Sequence, residues 1–248
     1  PPPRTVTSTL AIPASIPQFR ARKGPTMTEP ADLDWRDGVI PVSTRFDDPY
    51  FSLNDGLSET RHVFLAGNRL ETRLCDGFQV AELGFGTGLN LLALQILWAG
   101  MGAPGTLRFT SFEAFPMQAS DIARALDHFP EARAVAAPFL NQWAAGQTRL
   151  SLPGIEAEIV IGDARETLPA WKGRADAWFL DGFSPAKNPE LWADDLMGAV
   201  AAHTAENGTF ATYTAAGAVR RALSAAGFAV ERQPGHGRKR HMSVGRLP

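Results

Sequence analysis

The stretch that most constrains the fold is Phe78-Gln79-Val80-Ala81-Glu82-Leu83-Gly84-Phe85-Gly86-Thr87-Gly88-Leu89-Asn90. A short apolar run passes through glycines at alternate positions and enters the apolar segment Leu89 to Trp98. This is the outline of a buried strand, a tight turn and a helix start. Glycines there let the backbone take positive φ and come close to a bound group. The helix start adds unpaired N–H donors and a positive dipole end, which suit carboxylate, hydroxyl or phosphate oxygens.

Taken alone, the turn permits two readings. A dinucleotide fold uses G-x-G-x-x-G, and Leu89 stands where its third glycine belongs. The pattern Glu82-x-Gly84-x-Gly86-x-Gly88 instead resembles the first motif of class I S-adenosylmethionine (SAM) methyltransferases. Their cofactor carries no pyrophosphate, and its cationic amino-acid end suits an acid at the strand end.

The rest of the chain narrows the setting. Its 248 residues, 44% hydrophobic and 20% charged, are ordinary for a globular protein with a sizeable core. No apolar run approaches the ~18 residues of a membrane span. Cys75 is the single cysteine, which excludes an internal disulfide and a Cys-rich zinc site and fits a cytoplasmic location. No metal site is expected. The net charge of −2 argues against a protein coated in nucleic acid but leaves room for a local basic patch.

Residues 1–26 differ in composition from the remainder: proline-rich, with four basic residues and no acid. They read as an appended or upstream extension, disordered or loosely docked; a transit peptide fits less well, because the prolines would break an amphipathic helix. Residues 27–77 read as an N-terminal segment packing on the core. Within it, Asp55 to Gly67 predicts a helix closed by Gly67, and the whole stretch a lid or substrate-facing wall.

Residues 78–248 read as one domain of repeating strand and helix. Further strands are predicted at Leu107–Glu113, Ala157–Asp163, Ala175–Asp181 and Gly208–Tyr213, with Arg149–Leu152 a hairpin partner of the second of these. Helices are expected near 117–128, 164–171, 191–204 and 216–226. The closing pair Phe228–Arg232 and His241–Arg246 adds an antiparallel edge strand. The fold class is therefore α/β: a Rossmann-like, doubly wound, mostly parallel sheet with an antiparallel edge strand and a small N-terminal extension.

Ligands of such sheets bind outside the carboxyl ends of the strands. Four successive strands place an acid there: Glu82, Glu113, Asp163 and Asp181. Any one could be a helix N-cap; four in register point to a site. Glu113 suits two ribose hydroxyls, since a carboxylate accepts both hydrogen bonds. Asp163 with Ala164 suits the adenine amino group. Glu82 either anchors the loop or attracts the ammonium of the methionine part. Gly84, Phe85, Gly86, Thr87, Gly88 and Asn90 complete the cofactor-binding set, with Asp181 at its edge.

The loop Asp181-Gly182-Phe183-Ser184-Pro185 resembles the Asp-Pro-Pro-aromatic loop of exocyclic amine N-methyltransferases, departing from it at Gly182, Phe183 and Ser184. A carboxylate and carbonyls there can accept N–H bonds from an amine and aim its lone pair. An amine with lysine's pKa is neutral only about once in 2,500 molecules at pH 7, a penalty of roughly 4–5 kcal/mol. Nearby positive charge or burial must lower it. Methylation of a pyrimidine carbon usually needs a thiolate to attack the ring, and Cys75 lies before the first strand, away from this loop, which speaks against a mechanism of that kind. At the C-terminus Arg220, Arg221, Arg232, Arg238, Lys239, Arg240 and Arg246 face the lone Glu231, a candidate patch for an RNA backbone.

Four stretches together resemble one family: residues 41–52 with 59–65, 82–90, 181–192 and 235–240. It is the tRNA 5-methylaminomethyl-2-thiouridine methyltransferase family (MnmD, or the methyltransferase half of bifunctional MnmC), and the likeness spans about residues 31–247. The resemblance implies SAM-dependent methylation of the 5-aminomethyl group on the wobble uridine of tRNA, with the anticodon stem-loop as partner. It implies Asp181 and Phe183 as catalytic residues, Phe183 and Lys187 at the nucleobase entrance, and Arg238, Lys239 and Arg240 on RNA. In the bifunctional form an FAD-dependent oxidase follows and supplies the amine; this sequence ends at Pro248, before such a half. Two other readings stay open: a small-amine methyl- or aminopropyltransferase, and a catalytically silent RNA-binding module.

Overall fold

The strands after Phe78 pair into one sheet, and the segments between them form helices against its two faces. The computed structural model describes residues 29–52 and 55–248. The extension expected over residues 1–26 lies outside the described residues.

In chain order the elements begin with three short strands, β1 (Leu33–Arg36), β2 (Ile40–Ser43) and β3 (Asp48–Pro49), which pair antiparallel as a separate small sheet. Helix α1 (Gly56–Thr60) follows, capped by Asp55, whose Oδ1 accepts the Ser58 N–H at 2.9 Å. It runs on as a π-helical segment, Arg61–Ala66. Then come β4 (Gln79–Leu83), α2 (Leu89–Gly100), β5 (Leu107–Glu113), α3 (Ala119–Leu126), α4 (Pro130–Val135) and α5 (Ala137–Ala144). The hairpin β6 (Arg149–Leu152) and β7 (Ile155–Ile161) leads to α6 (Ala164–Ala170), β8 (Ala175–Leu180), α7 (Asp194–Ala202) and β9 (Thr204–Thr212). The chain closes with α8 (Gly217–Ala225), β10 (Ala229–Pro234) and β11 (His241–Arg246).

The large sheet has the order β10-β11-β9-β8-β4-β5-β7-β6. Its five central strands, β9-β8-β4-β5-β7, are parallel, and both rims are antiparallel. Alternation along a strand feeds two cores. Ala177 and Phe179 of β8 face α2 and the N-terminal segment, while Trp178 and Leu180 face α7 and α8. Phe179 is fully buried, and truncating such a ring costs about 3–5 kcal/mol. Helices on both faces make the sheet doubly wound.

Local details beyond the sequence expectation have physical reasons. Gly67 closes the helix as expected, but with a right-handed φ of −58°, and a Cβ there would press on Ala211 and Met242. The left-handed residue is Arg69, at φ 55°. Residues 130–144, not anticipated as helical, form α4 and α5, both opened by a proline in the first turn. Of the closing pair, β11 lies inside the sheet and β10 takes the rim. Met242 and Val244 of β11 are buried and apolar, and Ser243 between them donates to the Thr214 carbonyl at 2.8 Å, whereas β10 is mostly exposed.

Asn68 staples the N-terminal segment to the sheet. Its Nδ2 donates to the Phe64 and Trp178 carbonyls at 3.0 and 3.1 Å, and its Oδ1 accepts from the Thr209 hydroxyl at 2.6 Å. The small sheet and α1 are thereby held beside the carboxyl ends of the central strands. Among the described residues no helix is long and apolar enough to cross a membrane.

Candidate active site

The carboxyl ends of β4, β5, β7 and β8 open into a cleft of about 1680 Å³. A single small-molecule site occupies roughly 300–1,000 Å³, so two ligands can lie side by side here.

One side of the cleft is the glycine turn after β4. Gly84 has φ 87°, and a Cβ on it would overlap the Asp181 carbonyl, so this glycine lets two neighbouring strand ends touch. Gly86 has φ 54° and lies under the Tyr50 ring. Phe85 turns its ring away, packing on Phe139 and Trp143 at 5.6 and 5.4 Å. Phe85 and Thr87 still border the cleft by other atoms; Gly88, packed on Phe85 and Phe139, does not.

Glu113, at the end of β5, spans the turn. Its Oε2 accepts the Gly86 N–H at 3.1 Å and its Oε1 the Phe115 N–H at 2.8 Å. Each oxygen keeps lone pairs for a further donor. Burial pushes its pKa up, and the backbone N–H bonds pull it back. Asp163 caps α6 through the Arg165 N–H and pairs with the Arg165 guanidinium at 2.5 Å, which holds its carboxyl below the usual range. Asp163 and Ala164 both border the cleft.

Glu82 does not. It has no exposed surface and sits behind the turn, accepting from Asn90 Nδ2 at 2.8 Å and from the Ser111 hydroxyl at 2.6 Å. Burial holds its carboxyl well above the ordinary value. It faces the protein, not the cleft.

Asp181 leads the opposite side. Burial pushes its carboxyl up to about 7, while the Asn90 bond and the Lys239 charge pull it down and Glu59 pushes it up. The Asn90 amide donates to its Oδ2 at 2.7 Å. The loop behind it is held from several directions. Tyr213 donates to the Gly182 carbonyl at 2.7 Å, Trp192 to the Phe183 carbonyl at 2.9 Å, and the Ser184 N–H to Asp48 at 2.8 Å. The Phe183 ring stacks on Phe46 at 4.8 Å and meets the edge of Tyr50 at 5.0 Å.

The three basic residues of the last loop separate. Lys239 turns inward, 2.7 Å from Glu59 and 4.1 Å from the centre of the Tyr213 ring. Arg238 borders the cleft, and Arg240 lies outside it, exposed. Lys187 also lies outside the lining, in an ion pair with Asp47.

Several residues of this wall went unassigned in the sequence reading: Phe46, Asp48, Tyr50, Glu59, Thr60, Tyr213 and His236. The first five belong to the stretch expected as a lid or substrate-facing wall, and to the two segments of it that carry the family resemblance, with no role given to any one of them. Tyr213 follows β9 directly and could have been found by extending the strand-end argument to the fifth parallel strand.

The donor set fits S-adenosylmethionine. A turn stripped of side chains can meet its amino-acid part, Glu113 offers two oxygens to the ribose hydroxyls, and Asp163 with Ala164 lies one strand further, where the base would reach.

Comparison with known proteins agrees. A family described as S-adenosyl-L-methionine-dependent methyltransferase matches residues 130–248. Over 87% of its length the chain is 49% identical to the tRNA 5-methylaminomethyl-2-thiouridine biosynthesis bifunctional protein MnmC of Caulobacter vibrioides. It is 47% identical, over the same share, to the protein of that name from Pseudomonas paraeruginosa. It spans 38% and 35% of those two proteins, little more than a third of their length. The crystal structure of MNMC2 from Aquifex aeolicus superposes with a TM-score of 0.70 at 26% identity, covering 89% of this chain and 72% of that one. By its sheet, its cofactor turn and these likenesses, the chain belongs to the S-adenosyl-L-methionine-dependent methyltransferase family found in the MnmC proteins.

Proposed function

We propose that the chain transfers a methyl group from SAM to the 5-aminomethyl group of the wobble (2-thio)uridine of tRNA, giving 5-methylaminomethyl-(2-thio)uridine. One observation carries this reading. The half-buried Asp181 carboxylate stands beside the glycine turn in a cleft with room for two ligands. Its other wall is the aromatic group Phe46, Tyr50 and Phe183, against which a flipped-out base can stack.

When bound, the cofactor supplies an electrophilic methyl group; the chain's residues prepare the amine. Asp181, poised near neutrality, accepts a hydrogen bond or proton from the amine and turns its lone pair toward the methyl. The Gly182 and Phe183 carbonyls, each already accepting one bond, have a lone pair left for a second N–H. The Lys239 ammonium is paired with Glu59, so its charge is largely offset, and burial of the amine beside the cofactor's positive sulfur is what lowers its pKa.

Arg238 and Arg240, exposed and outside any ion pair among the described residues, supply phosphate contacts for the RNA strand. The substrate amine is a product of oxidative removal of a carboxymethyl group, so an FAD-dependent oxidase acts upstream in this scheme.

The test is mass spectrometry of nucleosides from undermodified tRNA incubated with enzyme and SAM. The expected product is methylaminomethyluridine, an N–H hydrogen of the aminomethyl nucleoside having been replaced by a methyl, and it is lost in Asp181→Ala while SAM still binds. Turnover of a free polyamine without RNA would favour a small-amine transferase instead. Binding of tRNA without binding of SAM would overturn both.

A further inference from the structure

Asn90 was expected among the cofactor ligands, yet its side chain is fully engaged elsewhere. One amide N–H goes to Glu82 Oε1 at 2.8 Å and the other to Asp181 Oδ2 at 2.7 Å. Its carbonyl oxygen accepts the Thr60 hydroxyl at 2.9 Å. An asparagine amide has two donors, and both are spent on carboxylates. Thr60 and Asn90 are 5% and 4% exposed, so water does not compete for these bonds.

The arrangement has one stable sense. Turned over, the amide would set its oxygen against the acceptor oxygens of two carboxyls whenever these are ionised. Thr60 supplies the donor that the observed sense requires, and Glu82, braced by Ser111, holds the second N–H. The amide plane is thus pinned at three points, and Asp181 is fixed to it. We propose that Asn90 is the positioning residue of Asp181, locking the carboxylate in the orientation that receives the amine, with Thr60 and Glu82 setting Asn90 itself. The inference rests on the amine-methylating role proposed for Asp181.

Asp181 is also faced by Glu59 from α1, by Lys239 from the loop before β11 and by Tyr213 after β9. Glu82, which shares the Asn90 amide and feels the Asp181 charge, faces it from behind the turn, so the titrations of Glu82 and Asp181 are followed together in each variant. The variants are Asn90→Ala, Thr60→Val and Thr60→Ser. The measurements are SAM binding by calorimetry, kcat and KM on aminomethyluridine tRNA, and the titration of the Asp181 carboxyl by carbon-13 NMR.

Asn90→Ala is expected to lower kcat about 100-fold, as misplacement of a reacting group does, with SAM affinity and tRNA KM within about threefold of wild type. Its Asp181 carboxyl titrates higher by about one pH unit, because a bond favouring the charged form is gone. Thr60→Val loses about tenfold in kcat through the freed amide, and Thr60→Ser restores it. A wild-type kcat or an unmoved Asp181 titration in Asn90→Ala overturns the proposal. So does a loss of SAM affinity that accounts for the whole loss of rate, since that makes Asn90 a cofactor ligand. If Asn90→Ala does not fold, the Thr60 pair decides by the same criteria. If wild type does not methylate the tRNA, the proposed function fails, and the NMR titration still decides the role of Asn90.

Discussion

The two sides of the cleft are built by different means. The donor side is backbone: a glycine turn and three strand ends whose positions are set by the parallel sheet, with Glu113 bonded to N–H groups of Gly86 and Phe115. The acceptor side is side chains from distant parts of the chain. Asn90 meets Asp181 across 91 residues, Lys187 meets Asp47 across 140, and Ser58 meets His236 across 178. A backbone site is altered by steric intrusion and otherwise loses only affinity. A side-chain site loses rate or selectivity one contact at a time.

Four substitutions test that contrast, from the largest expected effect to the smallest. Gly84→Ala forces a Cβ into the Asp181 carbonyl at a φ of 87°, where the two sides touch. Activity should fall at least about 1,000-fold, with loss of SAM binding and a lowered Tm, since the strain is shared by both sides. Normal SAM affinity in that variant would break the contrast at its root.

Asp181→Asn is expected to lower kcat about 1,000-fold with SAM affinity kept, a loss confined to the acceptor side. It should also stabilise the protein at neutral pH. The Asp181 carboxyl titrates near 7 when folded against an ordinary 3.8, so between these values the folded state holds the extra proton. Wild-type stability therefore falls as pH rises from about 4 to about 7, by up to about 4 kcal/mol, and the asparagine variant is spared this fall. Melting curves of both proteins across that window check it: the difference in Tm should grow with pH and level off above 7.

Glu113→Gln is the donor-side counterpart. On the expectation that Glu113 receives the ribose hydroxyls, loss of its charge should weaken SAM binding about 10- to 100-fold in calorimetry, while kcat at saturating SAM stays within a few-fold. Smallest is the double variant Arg238→Ala with Arg240→Ala. It should weaken tRNA binding across sequences and reduce the slope of log K against log salt by about one per arginine.

The same contrast explains what was legible in the sequence. The donor side is written in contiguous residues: β5 runs from Leu107 to Glu113 as its apolar run indicates, and the glycines take the positive φ that their spacing suggests. Thr110 and Ser111 pass unnoticed inside that strand, although Ser111 braces Glu82. The acceptor side was legible only where a loop is its own signal, as at Asp181–Pro185. That Lys239 points inward follows from Glu59, which lies 180 positions earlier by the numbering and carries no local mark of that partnership. Likewise α4 and α5 are set by packing of Ala132, Ala136 and Phe139 on the core, in a stretch whose own periodicity is weak.

The placement of β11 within the sheet bears on how the molecule is assembled. Residues 235–240 ride on this strand, and they reach α1 only once Ser243 to Arg246 have paired with Thr212 to Thr209. A chain emerging from the ribosome can set the glycine turn against Asp181 while residues 235–246 are still in the exit tunnel. The contacts of Lys239 with Glu59 and of His236 with Ser58 must wait for them. On the proposed function, synthesis thus shapes the methyl-donor side before the side that receives the amine.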